Sequence, residues 1–141
     1  MVDISDKPIT FRKAKALAIL SFPKTVYDAL IATQSVTKKG PILDTAIIAG
    51  TMAAKKTSEL IPFCHCLPID SCTFHCDYRD NYCLWIQAEI STHHKTGVEM
   101  EALTAVSVAA LTVYDMCKAL SHDIIIKEIR LISKEGGKTN T

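Results

Sequence analysis

Asp115 and Lys118 stand three residues apart near the end of a long apolar stretch, and on a helix that spacing puts them on one face. Lys118 suits the negative end of a helix dipole, whereas Asp115 opposes it. A carboxylate there calls for a reason beyond helix stability. Two readings follow: a helix-end ion pair, or an acid/base pair whose charges tune each other's proton affinity. Upstream, Gly97-Val98-Glu99-Met100-Glu101 places Glu99 and Glu101 in the first turn of the same helix, where the dipole favours acids with or without a ligand. Glu101 and Asp115 project to roughly the same side but lie about 21 Å apart along the axis, at about 1.5 Å per residue. One small substrate atom does not touch both. Either the ligand is elongated or the site is assembled across a subunit interface. The absence of charge from Ala102 to Tyr114 favours the second, because such a helix invites burial by a partner.

A second cluster, Cys64, His65, Cys66, Cys72, His75 and Cys76, has the residue types of a zinc site. Its periodicity argues against one. Cys72 and Cys76 fall on the apolar side of an alternating segment with His75 on the other, and no C-x-x-C pair occurs, so no metal is expected. Without a secretory signal the six cysteines are expected as reduced thiols. His65 sits in a loop bracketed by Pro62 and Pro68 and could ligate a polar substrate. His93-His94 is expected in a solvated turn. The cations Lys7, Arg12, Lys39, Lys134 and Lys138 lie in turns or near the termini. Singly each reads as solvated surface; a polyphosphate would need several together. No GxxxxGK[ST] motif is present, and Gly136-Gly137-Lys138 is too short for a phosphate loop.

The elements that must position these residues follow from periodicity. Arg12 to Ile19 alternate cationic and small apolar residues, which predicts a strand with one solvated face. Ser21-Phe22-Pro23 predicts a helix start, capped by Ser21 or a neighbour, with the helix running to about Thr33. Lys38-Lys39-Gly40 predicts a cationic turn, and Pro41 opens a small-sided helix to about Lys55. A short turn at Thr57-Ser58-Glu59 and an extended loop over Phe63-Cys64-His65-Cys66-Leu67-Pro68 come next. Alternation over Cys72–Tyr78 and Leu84–Ile90 predicts an antiparallel hairpin turning at Arg79-Asp80-Asn81. The long helix is expected over about Glu99 to Leu120, and a last strand over Ile124 to Ser133. The order β-α-α-β-β-α-β predicts an α+β domain, a ferredoxin-like antiparallel sheet with helices packed on one face.

With 141 residues the chain fits one domain, residues 1–141, and 48% hydrophobic against 22% charged residues is a globular balance. A net charge of +1 gives no whole-protein field for nucleic acid or an anionic membrane. MVDISDKPIT lacks the apolar core of a signal peptide, and the charge-free run from Ala102 to Tyr114 is shorter than the ~20 residues of a membrane span. A soluble, cytoplasmic protein is expected.

MVDIS, KKG, AAKKTSELIP, the CH of FCHCL, TGVEMEALTAVSVAALTVYDMCKA, the IRLI strand and KEGGK occur in an order that resembles the cyclic pyranopterin monophosphate synthases, from Met1 to Lys138. The resemblance implies a ferredoxin-like subunit, dimers with active sites at their interface, and a homohexamer built as a trimer of dimers. It implies conversion of 3′,8-cyclo-7,8-dihydroguanosine 5′-triphosphate to cyclic pyranopterin monophosphate and pyrophosphate without a cofactor, in molybdenum-cofactor biosynthesis. By motif, Asp115 and Lys118 would be catalytic. Phe63, Cys64, His65, Glu99, Met100 and Glu101 would hold the purine-derived portion, and Lys39, Arg12 and Lys134 would neutralise phosphates or assist proton transfer. The chain departs from the pattern at Pro41 (usually Asp), Ile47 (usually Arg) and Cys66 (usually Pro). The motif-matching catalytic residues are all present, so an active enzyme is expected. The competing reading is a non-catalytic oligomeric module that binds metal through the Cys/His loop.

Overall fold

The computed structural model describes residues 1–137; Lys138, one of the cations singled out above, lies outside the described residues. Four long strands, β1 (Thr10–Ser21), β4 (Ser71–Arg79), β5 (Cys83–His94) and β6 (Ile125–Glu135), form one sheet in the order β4-β5-β1-β6. Every neighbouring pair is antiparallel. Between β1 and β4 come helix α1 (Lys24–Ala32), the two-residue strands β2 (Val36–Thr37) and β3 (Gly40–Pro41), helix α2 (Ile42–Lys55) and the single turn α3 (Thr57–Leu60). Helix α4 (Glu99–Cys117) connects β5 to β6. Counting only the long strands, the first and third are central and the second and fourth lie at the edges, which is the ferredoxin-like α+β arrangement.

Alternation sets the core. Ala14, Ala16, Ala18 and Leu20 of β1 and Leu84, Ile86, Ala88 and Ile90 of β5 are buried against Ala102, Ala105, Val106, Ala109 and Val113 of α4. The alanines on both partners let the helix lie close to the sheet, and α2 stacks on α4 in turn. Gly50 of α2 makes this approach possible: a Cβ there would stand 2.6 Å from the Phe74 ring and 2.7 Å from the carbonyl oxygen of Ala105. At 19 residues, α4 is long and apolar enough by length and composition to cross a membrane, contrary to the count over its charge-free run alone. Its burial against β1 and β5 accounts for that apolarity. The other sheet face carries a smaller cluster of Leu17, Ile19 and Cys83 with Trp85 and Ile132, and no buried helix residue belongs to it.

Several local expectations are corrected. Pro23, not Ser21, is the N-cap of α1 and makes no side-chain cap bond, its fixed φ starting the helix instead. The expected Lys38-Lys39 turn is present, and it is the tip of a small hairpin with Val36 opposite Pro41 and Thr37 opposite Gly40. Helix α4 ends at Cys117 rather than near Leu120. His93 and His94 belong to strand β5, not to a turn. There His93 Nδ1 pairs with Asp70 at 2.6 Å, while Nδ1 of His94 is buried without a partner among the described residues.

Candidate active site

The two ends of α4 carry two separate polar clusters. At the C-terminal end, Asp115 lies between two ammonium groups. Lys118 Nζ is 3.0 Å from its Oδ1 and Lys39 Nζ is 2.9 Å from its Oδ2. Lys39 also donates to the Asp115 backbone carbonyl at 3.4 Å, satisfying an oxygen that the end of the helix leaves open. The β2–β3 hairpin therefore brings Lys39 to Asp115, away from Arg12 and Lys134, with which sequence reasoning grouped it. The hydrogen bond from Lys39, and then that from Lys118, holds the Asp115 carboxyl below the ordinary carboxylate range. All three side chains are about half exposed, so the cluster is open to a ligand. Two residues on, Cys117 is buried and its thiol is pushed up to about 11 by desolvation, which makes it a poor nucleophile.

At the N-terminal end lies a cavity of about 290 Å³ whose walls include Phe63, Cys64, His65, Glu99, Met100 and Glu101. These six sequence-predicted residues thus meet in one place. Phe63 is 75% exposed, an apolar ring left at the mouth with little of its own core to cover it. Glu101 is only 5% exposed. Burial pushes its carboxyl above the usual range, its own backbone N–H opposes the shift, and the neighbouring Glu99 charge adds to it. Desolvation likewise raises the Cys64 thiol, with Glu101 contributing. His65 donates from Nε2 to the carbonyl of Val2 at 2.8 Å, so in the neutral ring Nδ1 is left as an acceptor. Gly97 lets the flexible Glu99 carboxylate fold back over it; a Cβ there would displace that carboxylate.

Arg12 and Lys134 line a neighbouring cavity of about 450 Å³ that shares Lys7, Thr96, Gly97 and Glu99 with the first. Lys134 Nζ lies 3.7 Å from Glu99, and Arg12 is oriented by donating from Nε to the His94 carbonyl at 3.3 Å. Gly136, with φ of +89°, carries the chain past the Phe11 carbonyl where a side chain would clash. From sequence, Lys7 was weighed only as one of several scattered cations, and Val2, Ile4, Thr96 and Gly97 were not placed at a site. The signals were present in the MVDIS motif and in the Lys95-Thr96-Gly97 turn ahead of α4.

The Cys/His cluster disperses. Cys72 and Cys76 pack towards the helices, whereas His75 pairs with Asp77 at 2.9 Å. All six thiols are free, and among the described residues no group of three His, Cys, Asp or Glu side chains could hold a metal ion. The geometry does not favour the metal-module reading.

The arrangement thus sets a carboxylate between two ammonium groups at one end of α4, and at the other two adjoining cavities that carry Lys7, Arg12 and Lys134 beside Glu99 and Glu101. The chain is 56% identical over 138 residues to a cyclic pyranopterin monophosphate synthase of Xanthomonas campestris pv. campestris, covering 98% of this chain and 84% of that protein. It is 50% identical over 144 residues to the protein of that name from Lysinibacillus sphaericus, covering 100% of this chain and 89% of the relative. A molybdenum cofactor biosynthesis bifunctional protein of Synechocystis sp. matches at 54% identity over 144 residues, 99% of this chain but 42% of that longer polypeptide. The model of the MoaC family matches residues 1–137, the whole of the described structure, and the chain belongs to that family.

Proposed function

We propose that this chain is a cyclic pyranopterin monophosphate synthase, converting 3′,8-cyclo-7,8-dihydroguanosine 5′-triphosphate to cyclic pyranopterin monophosphate and pyrophosphate in molybdenum-cofactor biosynthesis. The observation that carries the reading is Asp115 held between Lys39 and Lys118. The reaction is a rearrangement without net redox change. It needs protons moved between carbon, nitrogen and oxygen, and a hydroxyl that attacks the α-phosphorus as pyrophosphate leaves. A carboxylate kept ionised beside two ammonium groups supplies a fixed negative charge and two proton donors within one contact distance. In this reading Asp115 and Lys118 are the catalytic pair and Lys39 completes them. The cavity of Phe63, Cys64, His65, Met100 and Glu101 takes the purine-derived portion, and Arg12 and Lys134 take phosphate charge.

The two clusters sit about 21 Å apart along one helix, by about 1.5 Å per residue. The reading therefore includes a site shared between subunits, with Asp115 of one facing the Glu101 cavity of another. The apolar side chains that α2 and α4 leave exposed, Ile48, Met52 and Leu111, support assembly, and a trimer of dimers in the cytoplasm is the form proposed. Purified protein supplied with the cyclised triphosphate is expected to release pyrophosphate and form the pterin. No turnover by the wild type would refute the reading, and full turnover by Asp115→Asn would refute the role of that residue.

A further inference from the structure

The N-terminal segment ahead of β1 is pinned across the mouth of the site. Ser5 N–H donates to Asp3 Oδ1 at 2.9 Å and Lys7 N–H to the Ile4 carbonyl at 3.1 Å, which folds residues 3–7 into a turn. Two side chains from other parts of the chain tie that turn down. His65 donates to the Val2 carbonyl at 2.8 Å and Lys95 Nζ to the Ser5 carbonyl at 3.2 Å. Both tethers reach backbone carbonyls, so they fix the path of the segment whatever its side chains are. The result is that Lys7 lines both cavities, the one with Glu101 and the one with Arg12 and Lys134.

Surface lysines are ordinarily solvated, and charge alone would say nothing about Lys7. Its position says more. The cavity of Arg12 and Lys134 already holds two cations, and Glu99 offsets one of them through the 3.7 Å contact with Lys134. A chain of linked phosphates running from the base cavity into this one would pass the shared wall, where Lys7 stands. We propose that Lys7 is a binding and specificity residue for the polyphosphate chain, the point at which the site measures phosphate length. This deepens the proposed synthase reading and rests on it for the identity of the substrate. A triphosphate would engage Lys7 together with Arg12 and Lys134; a single phosphate would not span them.

The test uses tripolyphosphate, pyrophosphate and orthophosphate as probes, titrated calorimetrically into the full chain and its variants, beside turnover of the cyclised triphosphate. Lys7→Ala is expected to weaken tripolyphosphate roughly tenfold, the scale of one lost charge-assisted hydrogen bond, with KM raised more than kcat falls. Lys7→Arg is expected to restore most of the affinity, and orthophosphate binding should change little. Lys24→Ala removes the same unit of charge from α1 at a position lining neither cavity, and is expected to bind tripolyphosphate as the wild type does. Circular dichroism confirms that each variant is folded. Unchanged tripolyphosphate affinity in Lys7→Ala, an equal loss in Lys24→Ala, or no saturable tripolyphosphate binding by the wild type would overturn the proposal. Wild-type turnover with any of those results leaves the synthase reading standing and removes only the role of Lys7. No turnover with Lys7-dependent tripolyphosphate binding refutes the synthase and supports the length-reading pocket.

Discussion

The Nζ of Lys39 lies 2.9 Å from Oδ2 of Asp115, although the residues are 76 positions apart in the chain. The contact ties the β2–β3 hairpin to the C-terminal end of α4, and it is the first cause of the lowered Asp115 pKa. Lys39→Met therefore removes the larger stabiliser of the carboxylate and leaves Lys118. The Asp115 pKa is expected to rise towards its ordinary value of 3.8. Turnover is expected to fall by about 10²- to 10⁴-fold, the usual weight of a general acid/base group. Lys39→Arg, which keeps the charge, should preserve the Asp115 titration, read by carboxyl-carbon NMR. A lysine that merely braces the hairpin would lower stability without moving that titration.

Periodicity made the faces of the elements legible, whereas the candidate site residues were named through the family resemblance. The alternation from Cys72 to Tyr78 placed Cys72 and Cys76 on the side opposite His75, and the structure packs them so. The charge-free run of α4 foretold a buried helix with polar ends. The pairing of Lys39 with Asp115 was not legible, since no local pattern encodes a contact between a hairpin tip and a distant helix end. The hairpin itself has two residues per strand, too few for any period to show. His93 and His94 were misplaced for a related reason: two polar residues closing a strand resemble a turn unless the partner strand is known. The placement of the N-terminal segment was not legible, because its ordering depends on tethers from His65 and Lys95, each many residues away.

Glu101 should cost the fold stability at neutral pH. Its folded-state pKa is raised by burial above the ordinary 4.5, so the native protein holds this proton more tightly than the unfolded chain. The group's contribution is fully present below the unfolded value and is lost as pH rises through the folded one. Glu101→Gln removes the titration. Relative to wild type, it is expected to be more stable at pH 7 by about 0.5–2 kcal/mol, the common range for relieving a functional-site penalty. It should also lose activity. The stability difference should shrink as pH falls below the ordinary carboxyl range, and urea unfolding at pH 7 and pH 4 checks this. A gap that widens with acidification would show that burial is not what sets the Glu101 proton affinity.

Gly50 should be irreplaceable for packing rather than for chemistry. A Cβ at 2.7 Å from the Ala105 carbonyl oxygen meets backbone, which cannot rotate away, as well as the Phe74 ring. Gly50→Val is expected to push α2 off α4 and to destabilise the fold by about 1–3 kcal/mol, the usual range for overpacking. Gly50→Ala carries the same first atom and should already show most of the effect. Denaturant midpoints for the two variants measure it, and midpoints matching the wild type would mean that the helices separate freely.

If Asp115 and Glu101 of different subunits make one site, two inactive variants should repair each other. Asp115→Asn spoils the proton-transfer end and Glu101→Gln spoils the cavity end, both on α4. In a mixed dimer with shared sites, one site collects both substitutions and the other collects neither. Equal mixing, after dissociation and reassembly, gives mixed pairs about half the time, so about a quarter of the sites would be intact. Activity near a quarter of wild type is expected from the mixture, against almost none from either variant alone. Sites confined to single subunits would give no recovery at any ratio, since every chain would carry its own defect. The same samples report assembly by sedimentation, and a monomer at micromolar concentration would contradict a shared site even before activity is read.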